Sequence, residues 1–566
     1  MKTRHRRLAA LSIGTGVMLA GVAGFGSQAA FAVDPADLQS RVTVDGIMTH
    51  LQALQDIADV NGGTRAIGTP GYEASGEYVE SVLQSAGYTP VRQDFQATTQ
   101  SLQAFSLALL GTTSVLDPET GVIAPEEPAR VPMEFTPGTV AVGGPIVGAS
   151  IVAPTTATGC SAEEWGGVDA TAQVAIVSRG ICSFAEKSLA AAEAGAVAIL
   201  VYNNEDGPLN GTLGEPVEGL IPSVGLTQAE GAAVVAALPT DPTVDLTIEE
   251  TTTTVDTFNI IAETSTGRTD NTVMMGAHLD SVPEGPGIND NGSGTATILE
   301  TAVQLAASGP LNNQVRFAWW GAEEVGLVGS NHYVEDLVEN NPAELDEIAT
   351  YLNFDMVASP NYVISVYDAN QSTFEAPVEV PAGSVETEKA FTDYFDASGQ
   401  PWIDTAFDGR SDYDAFIANG VASSGLFTGA DEVKTPEQVA LFGGIAGEQQ
   451  DQNYHQPSDD IANINTDALG IMAGAIASVT ASLANDTSAI NGVQPPAPTT
   501  PPSTTAPVVD PAATGPQLAA TGPADGALGA FGALPLGVLI VAAGVALTVV
   551  RLRSRVQPVR EDASPK

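Results

Sequence analysis

The feature that most constrains the fold is an alternation of apolar strands with helices in the second half of the chain. Strand patterns occupy residues 272–277, 315–320, 350–354 and 362–367, and a helical pattern at 294–307 separates the first two. Apolar strands that alternate with helices are typical of an α/β sheet covered on both faces. We therefore expect an α/β domain in this half of the chain.

The segments before this domain have a different texture. Residues 33–130 are predicted to be mainly helical, with helical periodicity at 72–86 and a strand at 88–95. Residues 135–248 contain short Val- and Ile-rich runs broken by Gly and Pro, with an alanine-rich helix at 184–194. This pattern predicts a compact insert of alternating strands and helices.

The first 32 residues have the composition of a secretory signal. Basic residues at the start are followed by an apolar stretch at 8–25, and Ala30-Phe31-Ala32 supplies a small-x-small cleavage pattern. A first transmembrane helix is the alternative, but the apolar run is short and rich in glycine. We expect an exported protein whose mature chain begins near Val33.

The C-terminal end carries three features in succession. A Pro-, Ala- and Thr-rich linker precedes an apolar segment that is long enough to cross a bilayer, and a tail with three arginines at 551, 553 and 555 follows. Leu518-Ala519-Ala520-Thr521-Gly522 resembles a sortase sorting signal, which implies cleavage after Thr521 and attachment to the cell wall. A plain single-span membrane anchor is the alternative. Both interpretations place the main body outside the cell.

These patterns predict the order of segments along the chain. The segments are a signal peptide (1–32), the first part of a catalytic domain (33–134), the insert (135–250), the second part of the catalytic domain (251–488), the linker (489–526), a transmembrane segment (527–550) and a basic cytoplasmic tail (551–566).

Composition argues against nucleic acid as a partner and limits the kind of metal site. The chain has 20 Lys and Arg against 68 Asp and Glu, a net charge of −48, and such a surface repels phosphate backbones. Cys160 and Cys182 are its two cysteines, and in an exported protein such a pair more often forms a disulfide than a metal site. Any metal must therefore be held by histidines and carboxylates.

Two polar segments of the α/β domain are candidates for metal binding. His278 ends an apolar strand, which is where ligand sites lie in open α/β sheets. Asp280 could orient its imidazole by accepting the remaining N–H. Asp290 lies in the glycine-rich loop 287–294, where its two oxygens could bridge two metals, although ordinary turn chemistry is the alternative.

Further carboxylates end the next strands. Glu323 and Glu324 follow the strand at 315–320, and uncompensated paired charges there are costly, so they need a cation or solvent. One could ligate zinc while the other takes a proton from water. Asp355 ends another strand, and His455 lies on a late loop. Together with the two candidates above, these residues fit a two-metal hydrolytic site.

The order and local sequence of these residues resemble the two-zinc exopeptidase family. This family includes secreted bacterial aminopeptidases and, more distantly, glutamate carboxypeptidase and the transferrin receptor. The likeness covers roughly residues 45–130 and 255–480, and it rests on His-x-Asp, Asn-Asp-Asn-Gly-Ser-Gly, Glu-Glu, Asn-x-Asp and Tyr-His in the family's order. It implies a zinc exopeptidase fold, with a mixed, mostly parallel sheet and helices on both faces.

The resemblance also implies a role for each candidate. It implies two zinc ions per chain, a cis peptide bond between Asp290 and Asn291, and a general base, Glu323. The implied ligands are His278, Asp290 and Asp355 on one zinc, and Asp290, Glu324 and His455 on the other.

Two further matches belong to the secreted aminopeptidase branch. Arg410 resembles an arginine that binds near the reacting group, although a structural ion pair with Asp412 or Asp414 is the alternative. Tyr454 resembles a tyrosine that helps to stabilise the tetrahedral oxyanion, a role that suits a hydroxyl donor. Relatives often brace the loop of Tyr454 with a disulfide, and this chain has no cysteine there.

The insert resembles a protease-associated domain through residues 174–184 and 191–204. The likeness implies a disulfide between Cys160 and Cys182 within the insert. It also implies that the domain limits substrate access or binds partners, and that it holds no catalytic groups.

We predict an exported, monomeric zinc aminopeptidase that acts on peptides with a free N-terminus. A carboxypeptidase or amidohydrolase of the same fold would want a cationic pocket, for which Arg410 is the main candidate. A catalytically silent surface-binding protein would have degenerate ligands, whereas the five ligands and the base are present. His50 and His332 complete no ligand set and are expected to be structural. The preferred N-terminal residue, the native metal and any calcium site stay open.

Overall fold

The described part of the chain comprises the insert and both parts of the predicted catalytic domain. The computed structural model describes residues 33–118, 121–125, 128–204, 207–214 and 216–496. The predicted signal peptide, most of the linker, the sorting-like motif, the apolar segment and the basic tail lie outside the described residues. Within those ranges, one helix (Thr466–Asn485) has the length and composition to cross a membrane, and it is mostly buried inside the protein.

Three helices open the described chain, and each begins at a side-chain cap. They are α1 (Pro35–Arg41), α2 (Val44–Val60) and α3 (Pro70–Ala86). The side chains of Asp34, Thr43 and Thr69 accept a backbone N–H in the first turn of their helices. Helix α3 ends at Gly87, whose φ of 96° is a left-handed conformation that favours glycine.

After α3 the chain forms strands, so the prediction of mainly helical structure up to residue 130 is wrong. Strand β1 (Val91–Leu109) turns into β2 (Thr112–Leu116), which pairs with β3 (Ile123–Ala124). The first part of the predicted strand at 88–95 lies before β1.

The insert is a small α/β domain, as expected. Its sheet has the order β5-β6-β7-β8-β4, in which the first four strands are parallel and β4 is antiparallel to β8. Its elements are β4 (Arg130–Pro132), β5 (Ile146–Val152), α4 (Ala162–Trp165), β6 (Val174–Ser178), α5 (Phe184–Glu193), β7 (Ala198–Tyr202), β8 (Ser223–Leu226) and α6 (Gln228–Ala237). Cys160 and Cys182 form a disulfide within it.

One long strand pair connects the insert with the catalytic domain. Strand β9 (Thr243–Glu263) is antiparallel to β1 along almost its whole length. Phe95 packs in the core of the catalytic domain, whereas Phe105 and Leu107 of the same strand pack in the core of the insert. The predicted boundaries at 134 and 250 therefore cut a continuous structure. Local sequence could not reveal β1, because its pairing partner lies far away in the chain.

The catalytic domain is built on a mixed, mostly parallel sheet. The strand order is β14-β13-β15-β12-β10-β11-β9, with β15, β12, β10 and β11 parallel to one another. These strands are β10 (Arg268–His278), β11 (Asn313–Trp320), β12 (Ile348–Phe354), β13 (Ser365–Tyr367), β14 (Ile403–Thr405) and β15 (Ser423–Phe427). The strand expected at 362–367 is shorter, and the other three expected strands are present.

Helices cover both faces of this sheet, which confirms the expected fold class. The helices are α7 (Gly292–Ala306), α8 (Val328–Asn340), α9 (Pro342–Asp346), α10 (Ser384–Ser398), α11 (Asp414–Ala418), α12 (Pro436–Phe442), α13 (Thr466–Asn485) and α14 (Ser488–Asn491). Met275 and Trp319 point into one hydrophobic core, which includes α7 and α13, and their neighbours Met274 and Trp320 point into another, which includes α8 and α11. Successive strand residues alternate between faces, so a strand buried on both faces is apolar throughout.

Candidate metal centre

The candidate ligands lie where parallel strands end side by side. His278 is the last residue of β10 and lies opposite Trp320, the last residue of β11. Asp355 directly follows β12, which pairs with β10 on its other side. The sheet therefore brings His278, Asp355 and the Glu323–Glu324 pair to the same edge.

The loop that carries Asp290 is fixed by its backbone. The N–H groups of Asn289 and Asp290 donate to the carboxylate of Asp459 at 2.9 and 3.0 Å. The peptide bond between Asp290 and Asn291 is cis. At Gly294, a Cβ atom would lie 2.1 Å from the carbonyl oxygen of Phe354, so only glycine allows α7 to begin this close to β12.

Two sets of potential ligand atoms converge, and they share Asp290. Nε2 of His278 lies 3.2 Å from Oδ1 of Asp290 and 3.3 Å from Oδ1 of Asp355. Nε2 of His455 lies 3.3 Å from Oδ2 of Asp290 and 3.1 Å from Oε2 of Glu324. The two oxygens of Asp290 thus face one set each, and the sequence-predicted ligands are brought together in the predicted combinations.

The contacts of these atoms fit a metal better than a hydrogen-bond network. Nε2 of His278, Oε1 of Glu324 and Oδ1 of Asp355 are buried and have no hydrogen-bond partner among the described residues. Buried polar atoms are normally satisfied, so these atoms call for a ligand. Ligands held at about 2.0–2.1 Å in a tetrahedron around zinc lie roughly 3.3–3.4 Å apart. The observed separations are close to this spacing.

The charge balance also calls for a cation. Burial, and the charge of Asp290, raise the pKa of Glu324 to about 8, and burial raises the pKa of Glu323 well above its usual range. Burial alone would lower the pKa of His278, but the carboxylates of Glu323 and Asp355 raise it well above its usual value. A bound cation would instead stabilise the charged carboxylates.

Glu323 faces the centre without belonging to either ligand set. Its Oε2 lies 3.8 Å from Nε2 of His278, farther than the ligand atoms. Glu323 is held in place by Asp280. The carboxylate of Asp280 accepts hydrogen bonds from the backbone N–H groups of Glu323 and Glu324 at 3.3 and 3.4 Å. Glu323 is thus positioned beside the ligands, as a base that acts on water would need to be.

The predicted role of Asp280 needs a correction. Its backbone carbonyl is the nearer acceptor for Nδ1 of His278, at 3.1 Å, whereas its carboxylate Oδ1 lies 3.7 Å from that nitrogen. The carboxylate is directed instead at the loop of the glutamate pair. Asp280 therefore orients the imidazole chiefly through its main chain, which the sequence pattern could not distinguish from a side-chain contact.

Tyr454 and Arg410 flank the centre. The ring of Tyr454 stacks on His455, with centroids 3.9 Å apart. Burial raises the pKa of Tyr454 well above its usual value, so its hydroxyl stays protonated at neutral pH. Among the described residues, Arg410 forms its ion pairs with Asp431 at 3.5 Å and Glu432 at 4.0 Å, rather than with the two aspartates expected near it in sequence.

Sequence reasoning missed two residues that position the ligands. The fully buried guanidinium of Arg65 donates to the carbonyls of Pro286 and Gly287 at 2.7 and 2.6 Å and to that of Leu279, and so ties together the segments before Asp290 and after His278. Ser411 donates from Oγ to Oδ2 of Asp355 at 2.7 Å. The sequence feature that could have drawn attention to Arg65 is the rarity of basic residues in this acidic chain.

A cavity of about 260 Å³ adjoins the centre on the side of Asp355. Its lining includes Asp355, Ser411 and many apolar side chains. These are Val363, Tyr367, Phe374, Ile403, Ala406, Phe427, Ala430 and Val433. Arg410 is the one basic residue among the described residues that line it, and it shares the wall with the carboxylates of Asp404, Asp408 and Glu432.

The remaining candidate groups have structural partners. In a third carboxylate group, Asp368 accepts the N–H of Thr373, Glu388 accepts that of Asn370, and Oδ2 of Asp404 accepts the hydroxyl of Ser372. Only Oδ1 of Asp404 lacks a partner among the described residues, so we assign no metal to this group. His50 contacts the hydroxyl of Tyr78 at 2.7 Å, away from the centre. His332 stacks on Phe95.

Comparison with protein families identifies both parts of the chain. Residues 259–480 match the model of peptidase family M28, and residues 142–234 match that of the PA domain. The first match contains all five candidate ligands, and the second lies inside the insert.

Individual relatives extend over most of the chain. A Mycobacterium tuberculosis protein named a probable lipoprotein aminopeptidase is 44% identical over 463 residues, which cover 81% of this chain and 88% of that protein. An aminopeptidase of Pseudomonas aeruginosa is 42% identical, with 81% and 84% covered. Leucine aminopeptidase 2 of Trichophyton tonsurans is 39% identical, with 83% and 91% covered.

The solved structures agree on the fold. An aminopeptidase from Aneurinibacillus sp. strain AM-1 superimposes with a TM-score of 0.59 at 24% identity, covering 79% of this chain and 95% of that chain. A peptidase M28 precursor from Shewanella amazonensis gives 0.56 at 19% identity, covering 82% and 98%.

Proposed function

The chain belongs to peptidase family M28, and from this premise we propose that it is a zinc aminopeptidase whose active site is the centre described above. The observation that carries the proposal is the convergence of two ligand sets on Asp290, with buried ligand atoms that have no hydrogen-bond partner in the described part of the chain. Relatives with 39–44% identity over most of the chain are named aminopeptidases.

We propose that the centre holds two zinc ions. His278, Asp290 and Asp355 would hold one, and Asp290, Glu324 and His455 the other. Zinc bound in this way would activate a water molecule and polarise the scissile carbonyl. The two separate ligand sets, each including one oxygen of Asp290, support a count of two.

The side chains around the centre would then move the protons and stabilise charge. Glu323 takes a proton from the attacking water and passes it to the leaving amine, because it lies beside the ligands and belongs to neither ligand set. The hydroxyl of Tyr454 donates a hydrogen bond to the oxyanion, because its raised pKa keeps the proton on the phenol. Asp280 and Ser411 hold Glu323 and Asp355 in position.

The cavity beside Asp355 would accept the side chain of the N-terminal residue. Its apolar lining suits a leucine-like side chain. A carboxypeptidase would need a free cationic group here, whereas Arg410 is paired with acidic neighbours and three carboxylates share the wall. The lining therefore favours an aminopeptidase over the carboxypeptidase alternative.

Hydrolysis of aminoacyl p-nitroanilides tests this proposal. We expect release of p-nitroaniline from the leucine derivative, loss of this activity with a chelator, and its return with zinc. The N-acetylated leucine derivative is the control and should not be cleaved. Equal cleavage of the blocked substrate would contradict an aminopeptidase.

We further propose that the protein acts outside the cell as a monomer. The signal-like N-terminus and a relative named a lipoprotein aminopeptidase support export. Mass spectrometry of the protein recovered from the cell wall and from the membrane fraction would identify both termini of the mature chain. A new C-terminus at Thr521 would support sortase processing, and an intact C-terminal segment in the membrane fraction would support a plain anchor. Light scattering would test the monomer.

A further inference from the structure

The insert contacts the loop that follows Glu323 and Glu324. A Cβ atom on Gly326 would lie 3.1 Å from the carbonyl oxygen of Gly214 in the insert. Val325 packs against both the core of the insert and the core of the catalytic domain. Because these residues directly follow Glu324, the insert forms one wall beside the metal centre.

Glu134 lies in a segment of the insert whose backbone is hydrogen-bonded to the residues just before Gly214. Its N–H donates to the carbonyl of Gly211 at 2.9 Å, and its carbonyl accepts the N–H of Leu213 at 3.0 Å. The neighbouring side chains Met133 and Phe135 are buried in the core of the insert. The backbone of Glu134 is therefore fixed on both sides, while its side chain is exposed.

The side chain of Glu134 lies near the mouth of the metal centre, on the side of His455. Its carboxyl is close enough to His455 and Glu284 for their charges to act on it, and it also interacts with the side chain of Thr212. Glu284 lies beside the same mouth, since a Cβ atom on its neighbour Gly285 would lie 2.3 Å from the carbonyl oxygen of Gln456, the residue after His455. Neither glutamate forms an ion pair with a lysine or arginine among the described residues.

The two sides of the centre differ in accessibility. The side chain of His455 is 31% exposed, whereas that of His278 is 1% exposed. The proposed cavity for the N-terminal side chain adjoins Asp355, in the ligand set of His278. Because the His455 side of the centre is the more open one, we expect a peptide whose first side chain fills this cavity to leave on that side, beside the wall that carries Glu134.

We propose that Glu134 is a specificity-determining residue that favours peptides with lysine or arginine directly after the scissile bond or one position later. This inference rests on the proposed aminopeptidase function. A carboxylate without a basic partner attracts a cationic side chain that passes it, and Glu284 adds to the same field. The insert thereby contributes to substrate selection, although none of its described residues belongs to either ligand set.

Competition between peptides tests the proposal. The substrates are Leu-Lys-Ala, Leu-Ala-Lys, Leu-Ala-Ala and Leu-Glu-Ala, and kcat/KM is measured for each by release of leucine. We expect the wild-type protein to prefer at least one lysine peptide over Leu-Ala-Ala by about threefold or more, the size typical of a solvent-accessible ion pair. We expect it to disfavour Leu-Glu-Ala, and we expect high salt to weaken both effects.

Two substitutions assign the preference to Glu134. In Glu134→Gln the ratio between the preferred lysine peptide and Leu-Ala-Ala should fall toward one, and in Glu134→Lys the glutamate peptide should become favoured over the lysine peptide. Glu163→Gln is the matched control, because Glu163 is also an exposed glutamate of the insert. In this control the ratios of kcat/KM between peptides should equal those of the wild type. The comparison separates a local effect of Glu134 from an effect of the protein's net charge.

The outcomes distinguish this inference from the proposed function. Leucine p-nitroanilide has no amino acid after the scissile bond, so its hydrolysis by the wild-type protein tests the aminopeptidase function alone. If that activity is present but the lysine preference is absent, the inference is wrong. It is also wrong if Glu134→Gln lowers kcat/KM for all four peptides equally, or if Glu163→Gln changes the ratios as much as Glu134→Gln does.

Discussion

Replacing Arg65 with methionine should destabilise the protein and weaken its hold on metal. The guanidinium is fully buried, and it donates to the carbonyls of Leu279, Pro286 and Gly287. Burial lowers its pKa to about 10, so it is still charged at neutral pH. The substitution leaves three inward-facing carbonyls without this donor, while the volume of the side chain is largely kept.

The magnitude follows from these contacts. Each buried acceptor left unsatisfied costs about 1–3 kcal/mol, and the relief from burying a charge offsets part of the sum. We therefore expect the free energy of unfolding to fall by about 3–5 kcal/mol. Because Arg65 connects the segments that carry His278 and Asp290, we also expect zinc affinity to fall by about 10- to 100-fold.

Urea unfolding of the metal-free protein and zinc competition with a chelator measure the two effects. Arg268→Met is the control, because Arg268 forms an exposed ion pair with Asp270 and should change stability by less than about 1 kcal/mol. Arg65→Lys keeps the charge but has fewer donors, so its effect should be intermediate. If Arg65→Met is as stable as the Arg268 variant and binds zinc equally well, Arg65 does not organise the centre.

Two further predictions concern protons and the oxyanion. At pH 7 a Glu324 carboxyl with a pKa of about 8, and a His455 imidazole whose pKa lies well above its usual value, are mostly protonated without metal. Zinc binding should therefore release protons, and the apparent affinity for zinc should rise between about pH 6 and 8. Calorimetry of zinc binding in buffers of different ionisation enthalpy measures the proton release. Binding heats that do not depend on the buffer would contradict the prediction. Tyr454→Phe should lower kcat by about 10- to 1,000-fold with a smaller change in KM, because the hydroxyl acts on the oxyanion. Tyr394→Phe, which removes a hydroxyl that accepts a hydrogen bond from Gln39, is its control, and equal losses in both variants would refute the role of Tyr454.

The strands and ligands that could be predicted from sequence share one property. The ligand strands β10 and β12 are mostly apolar where they approach the site, and a polar ligand ends or directly follows them, as at His278 and Asp355, so the pattern contains both the fold and the position of the site. The two ligand sets, and the position of Glu323 outside both of them, agree with the combinations expected from the sequence.

What the sequence could not supply depends on contacts between distant segments. Strand β1 is stabilised by β9, which lies more than a hundred residues later. The roles of Arg65 and Ser411 arise only when loops from different parts of the chain meet. For Asp280, residue type alone did not reveal that the main-chain oxygen would be nearer to the imidazole than the carboxylate.

The turnover of zinc-loaded Glu323→Gln tests the central claim most directly. Glutamine keeps the shape of the side chain but cannot accept the proton, so kcat for leucine p-nitroanilide should fall by about 10²–10⁴-fold. Zinc content should stay at two per chain, because Glu323 belongs to neither ligand set. Glu335→Gln, an exposed glutamate on α8, should retain wild-type turnover. A Glu323→Gln protein that carries two zinc ions and turns over at nearly the wild-type rate would contradict the account.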